Sequence, residues 1–284
     1  MTWQVLAILS TITVSIAYLL QRVLLKDEDS DPIGYAIVFQ FVLGFISLLF
    51  ALSFGKFIFP SSPDQLPRFI LSAILWAGST VFVFKALKIL NAGETTVLTS
   101  SSAVVTIALG TTLLGEHLRI TTLIGSVFIL ASIWIINTEK LSFSSKKGVL
   151  FALISALCTG LASVNDAFIM RSYEAFSYTT IMSFLPGFVL LIVFPKRIKT
   201  IKKLCTSRFM LLMSILCIFF SLQAITYYLA FQNGAPVTTL TPLTKASIVL
   251  TVILAAVFLG ERSNLLKKFL AAVIVIIGAI LLGS

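Results

Sequence analysis

Charge is what this sequence has least of. Asp, Glu, Lys and Arg make up 11% of its 284 residues, against roughly a quarter in a soluble domain, which excludes a surface wetted on all sides. Histidine is scarcer still. His117 is the only one, and it follows Glu116 in a short turn with no nucleophile or metal-ligand cluster beside it. The usual acid–base and metal constellations are therefore absent from the sequence, and no enzyme activity, metal or cofactor is expected. The three cysteines, Cys158, Cys205 and Cys217, show no CxxC or metal spacing. Two of them fall in apolar runs, where cysteine behaves as a small hydrophobe. Basic residues outnumber acidic ones 21 to 11, but nucleic acid needs a solvated basic face with aromatic platforms. None is legible, so no nucleic-acid partner is expected and the basic excess is read as setting membrane orientation.

What the chain does have is apolar length. Hydrophobic residues make up 58% and the mean hydropathy is +1.06. A bilayer core takes about 20 apolar residues per helix, so length here counts spans. Apolar runs cover 3–24, 34–54, 69–89, 95–114 and 120–136, then 148–170, 178–194, 209–231, 236–259 and 265–282. The first lacks a charged leader and a small-residue cleavage site, and reads as a span, not a signal. Each run predicts a helix, because backbone groups in hydrocarbon need internal partners and the runs far exceed the roughly ten residues of a barrel strand. The fold class expected is all-α and membrane-embedded, with ten transmembrane helices.

The ten runs divide into two sets of five. Leu114-Gly115-Glu116 lies between runs four and five, and Leu259-Gly260-Glu261 between runs nine and ten, an offset of 145. Residues 91–99 likewise resemble residues 233–241. Two such matches in corresponding places argue for duplication, with units at 1–138 and 146–284. An odd span count per unit makes the second unit enter from the opposite face, giving inverted repeats, the architecture of alternating access. Locally, LGE reads as a turn in which Gly ends one helix and Glu favours the positive end of the next.

Orientation follows from the loops. Those after runs one, three, five, seven and nine hold most of the basic residues, among them Arg22, Lys26, Lys140, Lys146, Lys147, Arg262 and the cluster Lys196, Arg197, Lys199, Lys202, Lys203 and Arg208. The opposite face has Lys56, Arg68, Arg119 and Arg171. The positive-inside rule places the basic face in the cytoplasm of a cell membrane and both termini outside.

A five-helix unit repeated once, each copy closing with LGE and a final apolar helix, resembles the drug/metabolite transporter superfamily, in particular its EamA-like branch. The resemblance covers nearly the whole chain. It implies an inverted-repeat bundle around a central cavity lined by the first, third and fourth helices of each half. It also implies secondary transport of small metabolites, often export. Two departures stand out. Members often carry a proline in the fourth helix of each repeat, whereas this chain has Ser100, Ser101 and Ser102 in the first half and Pro242, then Lys245, in the second. Short multidrug relatives carry a glutamate in their first helix, whereas residues 3–24 contain no acid, which disfavours proton-coupled export of hydrophobic cations.

Polar residues within the spans fall into stripes at helical spacing, and such stripes face other helices or water. Thr11, Ser15, Tyr18 and Arg22 on the first span match Ser155, Thr159, Ala162 and Asp166 on the sixth at an offset of 144. Further stripes carry Ser72, Trp76, Ser79 and Thr80; Thr95, Thr99, Ser102 and Thr106; Gln223 and Tyr227; and Thr238, Thr241 and Lys245. Taken singly, most such hydroxyls serve packing. Lys245 differs: it lies roughly 13 Å into the membrane at 1.5 Å per residue, where a charge costs about 2.5 to 3.5 kcal/mol. Two readings follow. Lys245 pairs with Asp166 as a structural ion pair, or it binds the anionic group of a solute while Asp166 competes for it or carries a proton. The expected substrate-binding set is Lys245, Asp166, Tyr18, Trp76, Thr80, Ser102, Gln223, Tyr227 and Thr241. The expected partners are a small-molecule substrate, membrane lipid and a coupled proton or counter-substrate. An amino acid or related solute ranks first; nucleotide sugars or sugar phosphates come second, since one lysine is thin provision for a diphosphate. A non-transporting structural or receptor-like protein is the rival from another class.

Overall fold

The computed structural model describes residues 1–24, 31–55, 57–60, 65–90, 92–137, 145–198, 201, 206–258 and 265–283. Leu259-Gly260-Glu261, Asn91, Cys205, and the loop residues Lys26, Lys56, Lys140, Lys199, Lys202, Lys203 and Arg262 lie outside that set. The described residues form ten helices long and apolar enough to cross a membrane. They are α1 (Trp3–Leu24), α2 (Pro32–Phe54), α3 (Leu66–Leu87), α4 (Ala92–Ser100 continued by Ser102–Leu113) and α5 (Ile120–Asn137), then α6 (Lys146–Ile169), α7 (Ala175–Val193), α8 (Ser207–Gln232), α9 (Val237–Phe258) and α10 (Leu265–Gly283).

Helix ends follow ordinary capping chemistry. Ser145 accepts the Gly148 N–H at the start of α6, and Glu174 accepts the N–H groups of Phe176 and Ser177 at the start of α7, supplying partners that first-turn donors lack. Pro32 opens α2, where a missing N–H costs nothing. The interruption of α4 at Ser101 needs no proline: Ser100 and Ser101 hydroxyls donate to the carbonyls of Thr96 and Leu98, back-bonding that bends a helix. Pro242 sits at the matching place in α9.

The two sets of five interleave. α1 lies along α8 and α3 along α6; α2 packs on α7, α5 on α10 and α4 on α9. Exchanging each helix for the one five places on maps this set of contacts onto itself, which is the signature of a pseudo-two-fold between inverted halves. The α5–α10 contact shows it at atomic scale. A Cβ added to Gly125 would meet the Gly278 carbonyl at 2.7 Å, and one added to Gly278 would meet the Gly125 carbonyl at 2.9 Å. Backbones this close tolerate only glycine on both sides.

Glu116 corrects the local reading of LGE. Gly115 does end α4, with φ +67°, a conformation suited to glycine. The carboxylate of Glu116, however, accepts the backbone N–H groups of Val237 at 2.7 Å and Thr238 at 2.9 Å. It caps α9 in the other repeat instead of serving the helix that follows it in sequence.

Candidate functional site

A cavity of about 370 Å³ lies between α1, α3, α4, α6, α8 and α9, the first, third and fourth helices of each half. A larger groove of about 740 Å³ between α2 and α8 is walled by Phe41, Phe45, Leu49 and Ile218 on the apolar outside of the bundle, where it meets lipid and offers a polar solute little.

Six of the nine residues expected to bind substrate line the central cavity: Tyr18, Trp76, Gln223, Tyr227, Thr241 and Lys245. Hydroxyls of Thr99, Ser155, Thr159, Ser163 and Thr244 join them. Several wall residues also hold one another in place. Ser79 bonds Ser155 at 3.1 Å and Thr159 at 2.7 Å. The hydroxyls of Tyr227 and Thr241 are 3.2 Å apart, and Gln223 donates to Ser10 at 3.3 Å. Tyr18 stands edge-on to Phe220, with centroids 5.7 Å apart. The wall is thus a hydroxyl and aromatic surface carrying one charge, the Lys245 ammonium.

The other three expectations need correction. Thr80 donates to the Trp76 carbonyl one turn back at 2.9 Å and is off the cavity; Ser79, one residue earlier, takes the place expected of it. Ser102 is fully buried with its hydroxyl unpartnered, and it does not line the cavity. The third is Asp166. Among the described residues no carboxylate lies within ion-pair distance of Lys245, and Asp166 is engaged elsewhere. Its Oδ1 accepts from Ser72 at 2.6 Å and Tyr178 at 2.6 Å, and its Oδ2 from Trp76 at 3.0 Å and Tyr228 at 3.0 Å. Four neutral donors from three helices saturate both oxygens, so the group is satisfied without a cation beside it. Asp166 and Lys245 are not an ion pair in this structure.

Asp166 is the centre of a buried polar and aromatic plug that adjoins the cavity. Around it, edge-to-face rings run from Phe69 to Tyr178 at 5.2 Å, from Tyr178 to Tyr228 at 4.8 Å, and from Tyr228 through Tyr227 to Phe231 at 5.4 and 4.9 Å. All of these side chains are buried. Asn165 adds bonds to the Arg68 carbonyl and the Ser72 hydroxyl, each at 2.8 Å, while the Arg68 guanidinium stacks on Phe168 at 3.6 Å. Beyond them, the Tyr173 hydroxyl bonds the Ile58 carbonyl, and burial with Glu174 alongside pushes that phenol up to about 12. Trp76 and Tyr228 belong to both the plug and the cavity wall.

Sequence reasoning missed Tyr178 and Tyr228 as functional candidates. Tyr228 had a signal: it neighbours Tyr227, and consecutive helical residues point about 100° apart, so one of the pair was bound to face elsewhere. Tyr178 had none, since nothing local ties the start of α7 to the end of α6.

Comparison with known proteins agrees with this geometry. The model of the EamA-like transporter family matches residues 1–138 and 146–284. No curated protein matches the chain. Among solved structures, a crystal structure of a protein superposes with a TM-score of 0.78 over 98% of this chain and 95% of its own, at 16% identity, a likeness of fold alone. Ten apolar spans, two interleaved sets of five and a family match on each half leave one conclusion: the chain is a multi-pass membrane protein that belongs to the EamA-like transporter family.

Proposed function

We propose that the chain is a secondary transporter that exports a small polar metabolite with an anionic group, an amino acid or related organic acid, by alternating access. One observation carries the reading: a lysine about two turns into α9 faces a hydroxyl-lined cavity with no carboxylate partner among the described residues. An intramembrane charge held at such cost and left unpaired fits a solute as its partner. The anion binds the Lys245 ammonium, while Thr99, Thr159 and Thr241 address its polar groups and Trp76, Tyr18 and Tyr227 its carbon skeleton. A single ammonium suits one carboxylate better than the diphosphate of a nucleotide sugar. The plug around Asp166 serves as the closed gate of one face. The basic bias of the loops supports an orientation with the opposite face in the cytoplasm of a cell membrane and both termini outside, for which a carboxy-terminal alkaline phosphatase fusion would be active.

The test begins with a thermal-shift screen of the purified protein against amino acids, carboxylates, sugar phosphates and nucleotide sugars. The stabilising compound is then followed by counterflow in proteoliposomes. The expected result is an anionic hit whose exchange falls at least about tenfold in Lys245→Ala, the equivalent of one lost charge-assisted bond. Unchanged exchange in that variant would overturn the role of Lys245, and no exchange of any compound would favour a non-transporting protein.

A further inference from the structure

Asp166 is an acid that the transport reading leaves without work. It is fully buried, its oxygens accept from Ser72, Tyr178, Trp76 and Tyr228, and it joins α3, α6, α7 and α8 in the plug beside the cavity. Those four helices have to part if the plugged face is to open.

The four donors are not alike. Ser72, Tyr178 and Tyr228 carry hydroxyls, which donate or accept as they rotate. The Trp76 indole N–H has no lone pair to offer. A proton added to either oxygen makes one hydroxyl turn and accept, and exchanges the remaining charge-assisted bonds for weaker ones to a neutral acid. Trp76 has no such turn to make and can only be held less tightly. It also forms the cavity wall, so one of the contacts that protonation weakens links the plug to the substrate space.

We propose that Asp166 is a proton-binding site that unlocks this gate: as the carboxylate the residue holds the plug together through four charge-assisted bonds, and as the acid it loosens its hold on Trp76 and the tyrosines and lets the face open. The proton comes from the face bearing Arg68 and Arg171. The other titratable and charged groups around it are Tyr178 on α7, Tyr227 and Tyr228 on α8, Arg68 on α3, which is linked to it through Asn165 and Ser72, and Lys245 on α9 across the cavity. Of these only Asp166 is a carboxyl group, and it alone among them touches Trp76 through a hydrogen bond. The proposal rests on the transport reading only for the existence of a second, opened state.

The experiment reads the gate without any substrate, so its failure is separable from a failure to transport. In full-length protein carrying Trp3→Phe and Trp134→Phe, Trp76 is the only tryptophan. Its emission and acrylamide quenching are recorded from pH 8.5 to pH 4.5. The expected result is a single transition to red-shifted, more quenchable emission on acidification, which Asp166→Asn abolishes. Tyr178→Phe and Tyr228→Phe each remove a donor to the carboxylate, and each should move the midpoint to higher pH by about one unit; they keep the test decisive if Asp166→Asn fails to fold. Flat emission across the range, an undiminished transition in Asp166→Asn, or midpoints unmoved in both tyrosine variants would each overturn the proposal.

Discussion

The Glu116 carboxylate crosses from one repeat to the other to accept the Val237 N–H at 2.7 Å, and takes that of Thr238 at 2.9 Å. The first turn of α9 thereby receives two hydrogen bonds and a negative charge at the positive end of its dipole. Gly110 makes room for this approach, since a Cβ there would sit 2.8 Å from side-chain carbons of both Val237 and Thr238. Replacing Glu116 by Ala should cost about 1 to 2 kcal/mol, seen as a melting temperature several degrees lower, with Glu116→Gln intermediate. Equal melting of all three proteins would show that water replaces the cap at no cost.

Lys245 and Asp166 should respond to truncation with opposite signs. Lys245→Met removes an unpaired charge from the interior and should raise the melting temperature, by up to about 2.5 kcal/mol of stability, while solute binding is lost. Asp166→Leu strands four buried donors at about 1 to 3 kcal/mol for each left unsatisfied, and should lower stability sharply. Thermal denaturation of both in one detergent decides it. A loss of stability in Lys245→Met would reveal a structural partner for the lysine.

Ser102 keeps a buried hydroxyl without a partner. Ser102→Ala should therefore be neutral or stabilising by up to about 1 kcal/mol and leave solute affinity unchanged. A measurable fall in affinity would return Ser102 to the binding wall.

The Gly125–Gly278 crossing is remote from the cavity, since neither α5 nor α10 lines it. Gly125→Val or Gly278→Val drives a side chain against the facing carbonyl and should cost about 1 to 3 kcal/mol, read as lower melting with unaltered affinity for the screened solute. Undisturbed melting in both variants would mean that the helices separate freely there.

How much of this was legible in the sequence depended on whether the physics was local. Hydropathy marked every span, because lipid demands helices wherever the chain is apolar for long enough, and helical spacing put Tyr18, Gln223, Thr241 and Lys245 on one inward surface. Spacing fixes the face a residue occupies but not the helix it meets. Depth along the helices suggests Lys245 as one partner for Asp166, whereas its donors come from residues up to 94 positions away. Glu116 was read against its own neighbour for the same reason, when its helix lies 121 positions on. Thr80 and Ser102 share broad faces with cavity residues, and a stripe is too wide to separate the wall from the packing behind it.

The interleaving of the halves also governs how the protein is made. Ser10 and Ser15 on α1 donate to the carbonyls of Gln223 and Ser247, Ser47 on α2 bonds Ser221, and Ser79 on α3 bonds Ser155. Every one of those partners leaves the ribosome after the fifth span. The first half therefore enters the bilayer with polar seams that no helix of its own covers, and waits in that state for the rest of the chain. Until that happens the early helices keep their inward polar groups without the partners of the finished bundle, and any pause in translation after α5 would lengthen that wait.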